Sequence, residues 1–179
     1  GSPCELFATR QSARNARPTV SNWTLQAAGQ AGRHRRFTLP AARLRQVLRI
    51  AAACNEAEIL GHDGHWTHRG DPTDLALLAL AAKGGIDRTV LLDEWPCVDR
   101  LAYEPERRYA ATFHRGASGS WIAVKGAPER VFELCTLDES LRATMQRQVV
   151  TLAAAGSRVL ALAAGHAGIG RAADGGPAD

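Results

Sequence analysis

The sequence lacks several features that would each indicate a class of protein. Its four cysteines include no CxxC pair and are widely spaced, which argues against a zinc site or a disulfide scaffold. No apolar run approaches the roughly 18 residues that a membrane-spanning helix needs, and the first residues lack the apolar core of a signal peptide. A GxxxxGK[ST] phosphate-binding loop is also absent. These absences favour a reduced, cytosolic setting and exclude the P-loop class of nucleotide-binding proteins.

Lysine is scarce as well. Of the 22 basic residues only Lys83 and Lys125 are lysines, and the formal net charge is a mild +4, which suits an anionic ligand such as a nucleotide as well as it suits nucleic acid. Lys125 ends an apolar run beside Gly126, and Pro128 follows at the first turn of a predicted helix. A lysine at such a strand-to-helix turn can project its ammonium into a pocket for an anion. The alternative is a surface lysine at a turn.

The order of the patterns predicts an α+β fold, a central antiparallel sheet flanked by helices. Helical spacing and capping residues predict helices at 40–59, 72–83, 87–95, 127–135 and 138–155. Strand-like patterns occupy 98–105, 107–116, 119–126 and 157–165, and a glycine-rich turn joins the second and third of these as a hairpin. Residues 62–74 are interpreted as a loop or short strand.

Three regions follow from composition. Residues 1–35 are predicted to form a basic, partly irregular segment, in which 19–25 could make an edge strand. Residues 36–165 form the folded domain, and 166–179 form a Gly-rich tail that we expect to be disordered. The basic runs favour a solvated segment because they contain almost no aromatic residues. Nucleic-acid binding through residues 10–36 stays open as an alternative.

Three histidines could in principle form a metal site, and two cysteines could be reactive, but their positions in the sequence favour neither role. His62, His65 and His68 recur every third residue, and imidazole is a common metal ligand. A period of three does not bring all three to one face of a strand, so a surface loop is the preferred interpretation. Cys54 and Cys135 fall on apolar faces of predicted helices and are expected to fill the core.

Three segments recur together and in order: RGDPTDLALLALAAKGG (69–85), YEPERRYAATFHR (103–115) and VKGAPERVFELC (124–135). Together they resemble the nucleotide-binding (N) domain of P-type ATPases, in the branch that pumps calcium, magnesium and sodium. KGAPE paired with GDPT[DE]xALL is specific, whereas either motif alone is weak. CNEAEI at 54–59 and GSRVLALA at 156–163 fit the same family. The resemblance covers residues 37–165 and identifies 36–165 as a nucleotide-binding domain.

The resemblance implies that the base of ATP lies between an aromatic ring and the KGAPE motif. Tyr103 takes the position of the aromatic residue, usually Phe, that stacks on adenine, and such stacking contributes about 1–3 kcal/mol per base. Lys125 corresponds to the motif lysine at the floor of the adenine pocket. Gly126 corresponds to the glycine that lets the base approach the backbone.

The resemblance also implies three polar contacts. Asp74 takes an acidic position, usually Glu, near the adenine amino group, where an acceptor is wanted. Arg108 stands where a phosphate-side lysine is common, and its guanidinium is a wider, planar group. Arg158 corresponds to an arginine that reaches the ribose or phosphate region. Ala110 replaces a common methionine, which implies looser packing around the pocket. For the polar residues, the alternatives are helix-dipole stabilisation by Asp74 and ordinary surface arginines.

The chain lacks the DKTGT, TGD and GDGxND motifs with which such pumps form and hydrolyse a phosphoenzyme. The resemblance therefore implies a domain of an ATP-driven cation translocase that positions ATP for phosphorylation of an aspartate in a separate domain. No catalytic residue and no metal site are predicted, and we expect no turnover by this chain alone. Mg²⁺ would arrive with ATP.

Further expectations follow from the same resemblance. The partners would be ATP and the phosphorylation and actuator domains of the same pump, with no nucleic acid and no membrane insertion by this part. The location would be the cytoplasmic side of a plasma (inner) membrane pump. A degenerate N domain that serves as a regulatory or protein-interaction module without nucleotide binding is the alternative, because Asp74, Tyr103, Arg108 and Ala110 depart from the usual residues.

Overall fold

A computed structural model describes residues 4–9, 24–28, 34–38, 41–62 and 65–166 of the chain. The helices are α1 (Ala41–Ala53), α2 (Pro72–Lys83), α3 (Arg88–Glu94), α4 (Pro128–Leu134) and α5 (Glu139–Ala154). The strands are β1 (Cys4–Thr9), β2 (Thr24–Ala28), β3 (His34–Thr38), β4 (Glu58–His62), β5 (His65–Arg69), β6 (Cys97–Leu101), β7 (Tyr109–Gly116), β8 (Gly119–Gly126) and β9 (Arg158–His166).

A five-stranded antiparallel sheet in the order β1-β9-β8-β7-β6 forms the centre of the described structure. The β7–β8 hairpin closes through a two-residue turn between Gly116 and Gly119, as the glycine-rich pattern predicts. Strand β8 therefore lies between β7 and β9, and Lys125 is the register partner of both Ala110 and Leu162. Two smaller antiparallel ribbons, β2–β3 and β4–β5, accompany this sheet.

Helices cover both faces of the sheet, and this confirms the predicted α+β fold. Alternate residues of the strands point to opposite faces, so Ala123 and Leu162 pack in the cluster that contains α1, whereas Ala161 and Ala163 pack with α4 and α5. Cys54 and Cys135 are buried in these two clusters, as expected of core residues. Burial raises the pKa of the Cys54 thiol to about 11, which keeps it neutral and unreactive.

Capping residues set the ends of the helices that the sequence predicts best. The Asp71 carboxylate accepts from the Thr73 amide at 2.7 Å, and α2 stops at Gly84. The Asp138 carboxylate accepts from the Leu141 amide at 2.8 Å and begins α5, which confirms it as the predicted N-cap. These side chains satisfy amides that would otherwise have no partner in the first helical turn.

The predicted strand at 98–105 is wrong in its second half. Strand β6 ends at Leu101, and residues 102–108 form a loop in which the Arg108 amide donates to the Glu104 carbonyl at 2.7 Å. Pro105 explains the break, because proline has no amide to donate to a strand ladder. Tyr103 therefore lies on a loop and is 53% exposed.

Other differences concern the N-terminal half. The helix predicted at 40–59 ends at Ala53, because the Asn55 side chain accepts from the Ala57 amide in a turn and β4 follows. Strand β1, which the sequence pattern does not predict, pairs with β9 at the edge of the main sheet. Residues 62–74 contain the β5 half of a hairpin and the start of α2. The predicted edge strand at 19–25 overlaps β2 only at its end, and β2 pairs with β3 rather than with the main sheet. The rest of that strand, and the predicted tail beyond His166, lie outside the described residues.

A buried histidine gives the fold a pH dependence. His114 is 1% exposed, donates from Nδ1 to the Trp95 carbonyl at 2.9 Å, and accepts at Nε2 from the Thr112 hydroxyl at 2.8 Å. Burial lowers its pKa below the ordinary 6.5, so below about pH 6.5 the unfolded chain binds a proton that the folded chain does not. We expect the free energy of unfolding to fall as the pH drops from 6.5 through the lowered pKa.

Urea unfolding at a series of pH values checks this expectation. The His114→Gln variant is the control, because an amide keeps a donor and an acceptor but does not titrate. Its stability should change less than that of the wild type below pH 6.5. Parallel pH profiles for the two proteins would contradict the assignment.

Candidate functional site

The centre of the candidate site is an ion pair between Lys125, near the end of β8, and Asp74, in the first turn of α2. The Lys125 ammonium donates to Asp74 Oδ1 across 51 residues of sequence. Both side chains are largely buried, with 9% and 13% of their surfaces exposed. A pair this well shielded from water is screened little by salt. The two residues that the resemblance places beside adenine are therefore in direct contact with each other.

The segment after α1 holds Asp74 from its other side. The Glu56 amide donates to Asp74 Oδ2 at 3.1 Å, and the Asn55 side-chain amide donates to the Asp74 backbone carbonyl at 2.9 Å. Both carboxylate oxygens of Asp74 thus accept a hydrogen bond, one from Lys125 and one from Glu56. These bonds fix the orientation of the carboxylate while leaving acceptor capacity on each oxygen.

Gly126 is required by the chain's own backbone. A Cβ atom built there would lie 2.5 Å from the Arg108 carbonyl oxygen and 2.6 Å from the Cα of its register partner Tyr109. The Ala127 amide donates to that same Arg108 carbonyl at 2.9 Å. The missing side chain therefore lets the end of the 102–108 loop close onto the KGAPE turn. This contact is by itself a physical reason for a glycine at this position.

The two predicted arginines differ in their contacts. Arg158, at the start of β9, donates to the Thr73 hydroxyl at 3.3 Å, which places it beside the residue that precedes Asp74. Arg108 pairs with Glu129 at 2.8 Å, and both of these side chains are about half exposed. Its backbone has φ of +58°, a left-handed conformation that is uncommon outside glycine.

Tyr103 is the predicted site residue with the fewest contacts. It makes no hydrogen bond and no ring contact within the part of the chain that the structure describes. Its loop is tied down by neighbours, since Arg107 donates to the Ala102 carbonyl at 3.1 Å and pairs with Glu104 at 2.9 Å. The structure thus brings Asp74, Lys125, Gly126 and Arg158 into one connected region and leaves the Tyr103 ring exposed to solvent.

The start of α2 carries the acidic Asp71, and the basic Arg158 lies close to it. The Thr73 amide lowers the pKa of Asp71, and the Arg158 charge adds to this effect, so Asp71 is fully ionised at neutral pH. Arg158 is exposed and lies beside this anionic helix start, where the opposite charges attract each other. Its guanidinium still has several N–H groups for a ligand, because arginine carries five donors.

Sequence reasoning missed the residues that support the ion pair. The Asn55 side chain accepts from the Ala57 amide, and Arg88 donates to the backbone carbonyls of Asn55 and Ala57. A cavity of about 40 Å³ lies between these residues and strands β6 and β7. Lys125, Thr112 and Arg100 also line this cavity. The signal available in the sequence is the asparagine directly after Cys54, inside CNEAEI, because a buried asparagine at a helix end requires partners.

Among the side chains that the structure describes, no three His, Cys, Asp or Glu residues converge as a metal would require. The side chains of His62 and His65 lie outside that description, although the two residues are register partners at the tip of the β4–β5 hairpin. Within the described residues, no helix is both long and apolar enough to cross a membrane.

The sequence of this chain matches a known class of protein domain. The sequence profile of the family described as "P-type ATPase, cytoplasmic domain N" matches residues 43–168. The "Probable cation-transporting ATPase F" of Mycobacterium tuberculosis is 36% identical over 125 residues, which are 65% of this chain and 14% of that protein. The "Cation-transporting ATPase pma1" of Synechocystis is 34% identical over 128 residues, 67% of this chain and 14% of that protein.

A yeast protein extends the comparison. The "Sodium/potassium exporting P-type ATPase cta3" of Schizosaccharomyces pombe is 32% identical over 125 residues, 65% of this chain and 12% of that protein. The chain belongs to the family of P-type ATPase cytoplasmic N domains, which confirms the resemblance carried by the three sequence segments. It spans about one seventh of the length of the first two relatives.

Proposed function

We propose that this chain is the ATP-binding domain of a P-type cation-transporting ATPase and positions ATP for phosphorylation of an aspartate in a separate domain. The Lys125–Asp74 ion pair carries the proposal. It joins the KGAPE and GDPTD motifs in a shielded position, beside the exposed loop that carries Tyr103 and Arg108. A fixed cation and acceptor, with an exposed aromatic ring on the loop that closes onto the KGAPE turn, suit a ligand with a planar base and a charged tail.

Each residue has a role in this proposal. Tyr103 stacks on adenine, Asp74 accepts from its amino group, and Lys125 with Gly126 forms the floor of the pocket. Arg108 and Arg158 neutralise phosphate or contact the ribose. Mg²⁺ comes with the phosphates of ATP and is held mainly by the separate domain that carries the phosphorylated aspartate. The chain alone binds ATP without hydrolysing it.

The affinity of the isolated domain should be weak. Phosphoryl transfer depends on positioning and charge neutralisation by several domains together, and this chain supplies only part of the phosphate contacts. A dissociation constant between the high-micromolar and millimolar range corresponds to about −4 to −6 kcal/mol.

Tyr103 offers the cleanest test, because its exposed ring contributes little to the fold. We expect Tyr103→Ala to weaken ATP binding by roughly fivefold or more, since stacking on an aromatic ring is worth about 1–3 kcal/mol per base. Tyr103→Phe is the matched control and should bind like the wild type. An ATP titration followed by amide NMR measures both, and the wild type should show saturable shifts near residues 103, 108, 125 and 158. Tyr103→Ala and Tyr103→Phe with equal affinities would contradict the assigned role.

One observation favours a second candidate, a degenerate N domain that acts as a protein-interaction module. Lys125 is bound to Asp74 and Arg108 to Glu129, so two of the three proposed cations already have carboxylate partners. Under this alternative the KGAPE and GDPTD residues stabilise the fold and do not bind a nucleotide. An absence of shifts in the wild type at about 10 mM ATP, the weak end of the affinity scale, would support it and overturn the first proposal.

A further inference from the structure

We propose that Asn55 and Arg88 form a clamp that positions Asp74 against Lys125 and so preorganises the nucleotide site. Both residues act on the 55–57 segment that follows α1, and neither is expected to touch the ligand. The consequence for ATP rests on the proposed function above, whereas the effect on the ion pair does not.

Asn55 connects three parts of the chain. Its side chain is 5% exposed, and its Nδ2 donates to the carbonyl of Ala51 at 3.1 Å and to that of Asp74 at 2.9 Å. Its Oδ1 accepts from the Ala57 amide at 2.9 Å. The side chain therefore links the end of α1, the following turn and the first turn of α2. Both the nitrogen and the oxygen of the Asn55 side-chain amide have hydrogen-bond partners, as a buried amide group requires.

Arg88 holds the same turn from α3. Its Nη1 donates to the Ala57 carbonyl at 3.0 Å and its Nη2 to the Asn55 carbonyl at 2.7 Å. The planar guanidinium makes both bonds at once, which fixes the segment in angle as well as in distance. The Glu56 amide lies between these two carbonyls in the chain, and this amide is the group that donates to Asp74 Oδ2.

These contacts form a connected path to the lysine. Arg88 fixes residues 55–57, the Glu56 amide and the Asn55 side chain fix Asp74, and Asp74 holds the ammonium of Lys125. Without the clamp the Asp74 carboxylate loses a donor on Oδ2 and its backbone loses a tether. A looser carboxylate would let Lys125 adopt several positions, and a ligand would then bear the cost of ordering both groups.

The scarcity of lysine provides a direct readout. With only Lys83 and Lys125 in the chain, a spectrum of ¹⁵N-labelled lysine ammonium groups has at most two signals. Lys83 is exposed, so its ammonium protons exchange rapidly with water, whereas those of the largely buried, paired Lys125 are protected. We expect a Lys125 signal in the wild type, and we expect it to broaden or vanish in Asn55→Ala and Arg88→Lys.

Matched variants separate the clamp from general stability. Arg88→Lys keeps the charge but loses the paired bonds, and Arg100→Lys makes the same change at a second arginine that lines the same cavity. Arg100→Lys should therefore leave the Lys125 signal unchanged. Amide spectra of β7, β8 and β9 show whether each variant remains folded. A sharp Lys125 signal in folded Asn55→Ala and Arg88→Lys would overturn the clamp, whatever the wild type does with ATP.

An ATP titration on the same proteins tests the link to binding. We expect Asn55→Ala to weaken binding about tenfold, and to have little further effect when Asp74 is already alanine, because residues that act through one another are not additive. Additive losses in the double variant would show that Asn55 acts by another route and would overturn the positioning role. If the wild type does not bind ATP, the proposed function fails, and the ammonium spectra still decide the clamp.

Discussion

An Asp74→Ala variant is expected to lose about 3–5 kcal/mol of unfolding free energy, because it leaves the largely buried Lys125 ammonium without its carboxylate. The same change removes the acceptor for the Glu56 amide, which adds to the loss. Urea unfolding monitored by circular dichroism measures the effect. The variant should also bind ATP more weakly than the wild type in the titration used for Tyr103.

Two comparisons make this expectation specific to the buried pair. Glu129→Ala breaks the half-exposed pair with Arg108 and should cost less than about 1 kcal/mol, as exposed ion pairs do. An Asp74→Leu, Lys125→Met double variant should recover much of the loss, since apolar replacements for both partners leave no unpaired charge. If Asp74→Ala cost no more than Glu129→Ala, the Lys125 ammonium would have to be hydrated in solution.

Gly126→Ala is expected to destabilise the domain by about 3 kcal/mol, the upper part of the range for inserting a group into packed structure. The added Cβ would lie 2.5 Å from the Arg108 carbonyl oxygen, and backbone atoms cannot swing away as the end of a long side chain can. The 102–108 loop would have to separate from β8, and the bond from the Ala127 amide to Arg108 would break. Urea unfolding gives the energy, and the Ala127 amide signal reports the bond.

A second glycine serves as the control for this substitution. Gly156 has φ of +77° and open space where the methyl group of an alanine would lie, so Gly156→Ala introduces backbone strain without a clash. It should cost about 1–2 kcal/mol and leave the Ala127 signal in place. A Gly126→Ala protein as stable as the wild type would mean that Arg108 does not close onto the KGAPE turn in solution.

Local sequence patterns predicted the helices and strands whose ends are marked by capping residues or turn glycines. Helix α2 begins at Pro72 behind the Asp71 cap, and α5 begins behind Asp138, because a capping carboxylate is encoded within three residues of the amide it binds. The β7–β8 hairpin could be predicted in the same way, because glycines in the sequence mark its turn. In each case the residue that determines the end of the element is only a few positions away from the backbone group that it contacts.

The features that were not predicted depend on distant partners. Strand β1 pairs with β9 from the other end of the chain, and no local pattern encodes such a partner. The resemblance placed Asp74 and Lys125 in one pocket, but only the structure shows that they bind each other. Asn55 had no assigned role, because its value lies in contacts with α2 that a single sequence does not reveal.

The position of β8 divides the site into a part that must be kept and a part that can vary. Lys125 and Gly126 belong to a strand bonded on both sides, so most changes there threaten the whole sheet. Tyr103 and Arg108 belong to a surface loop that can accept substitutions without loss of the fold. Two of the departures from the usual family residues fall in this loop. Under the proposed function, such a domain can adjust its nucleotide affinity during evolution through the loop while its scaffold stays the same.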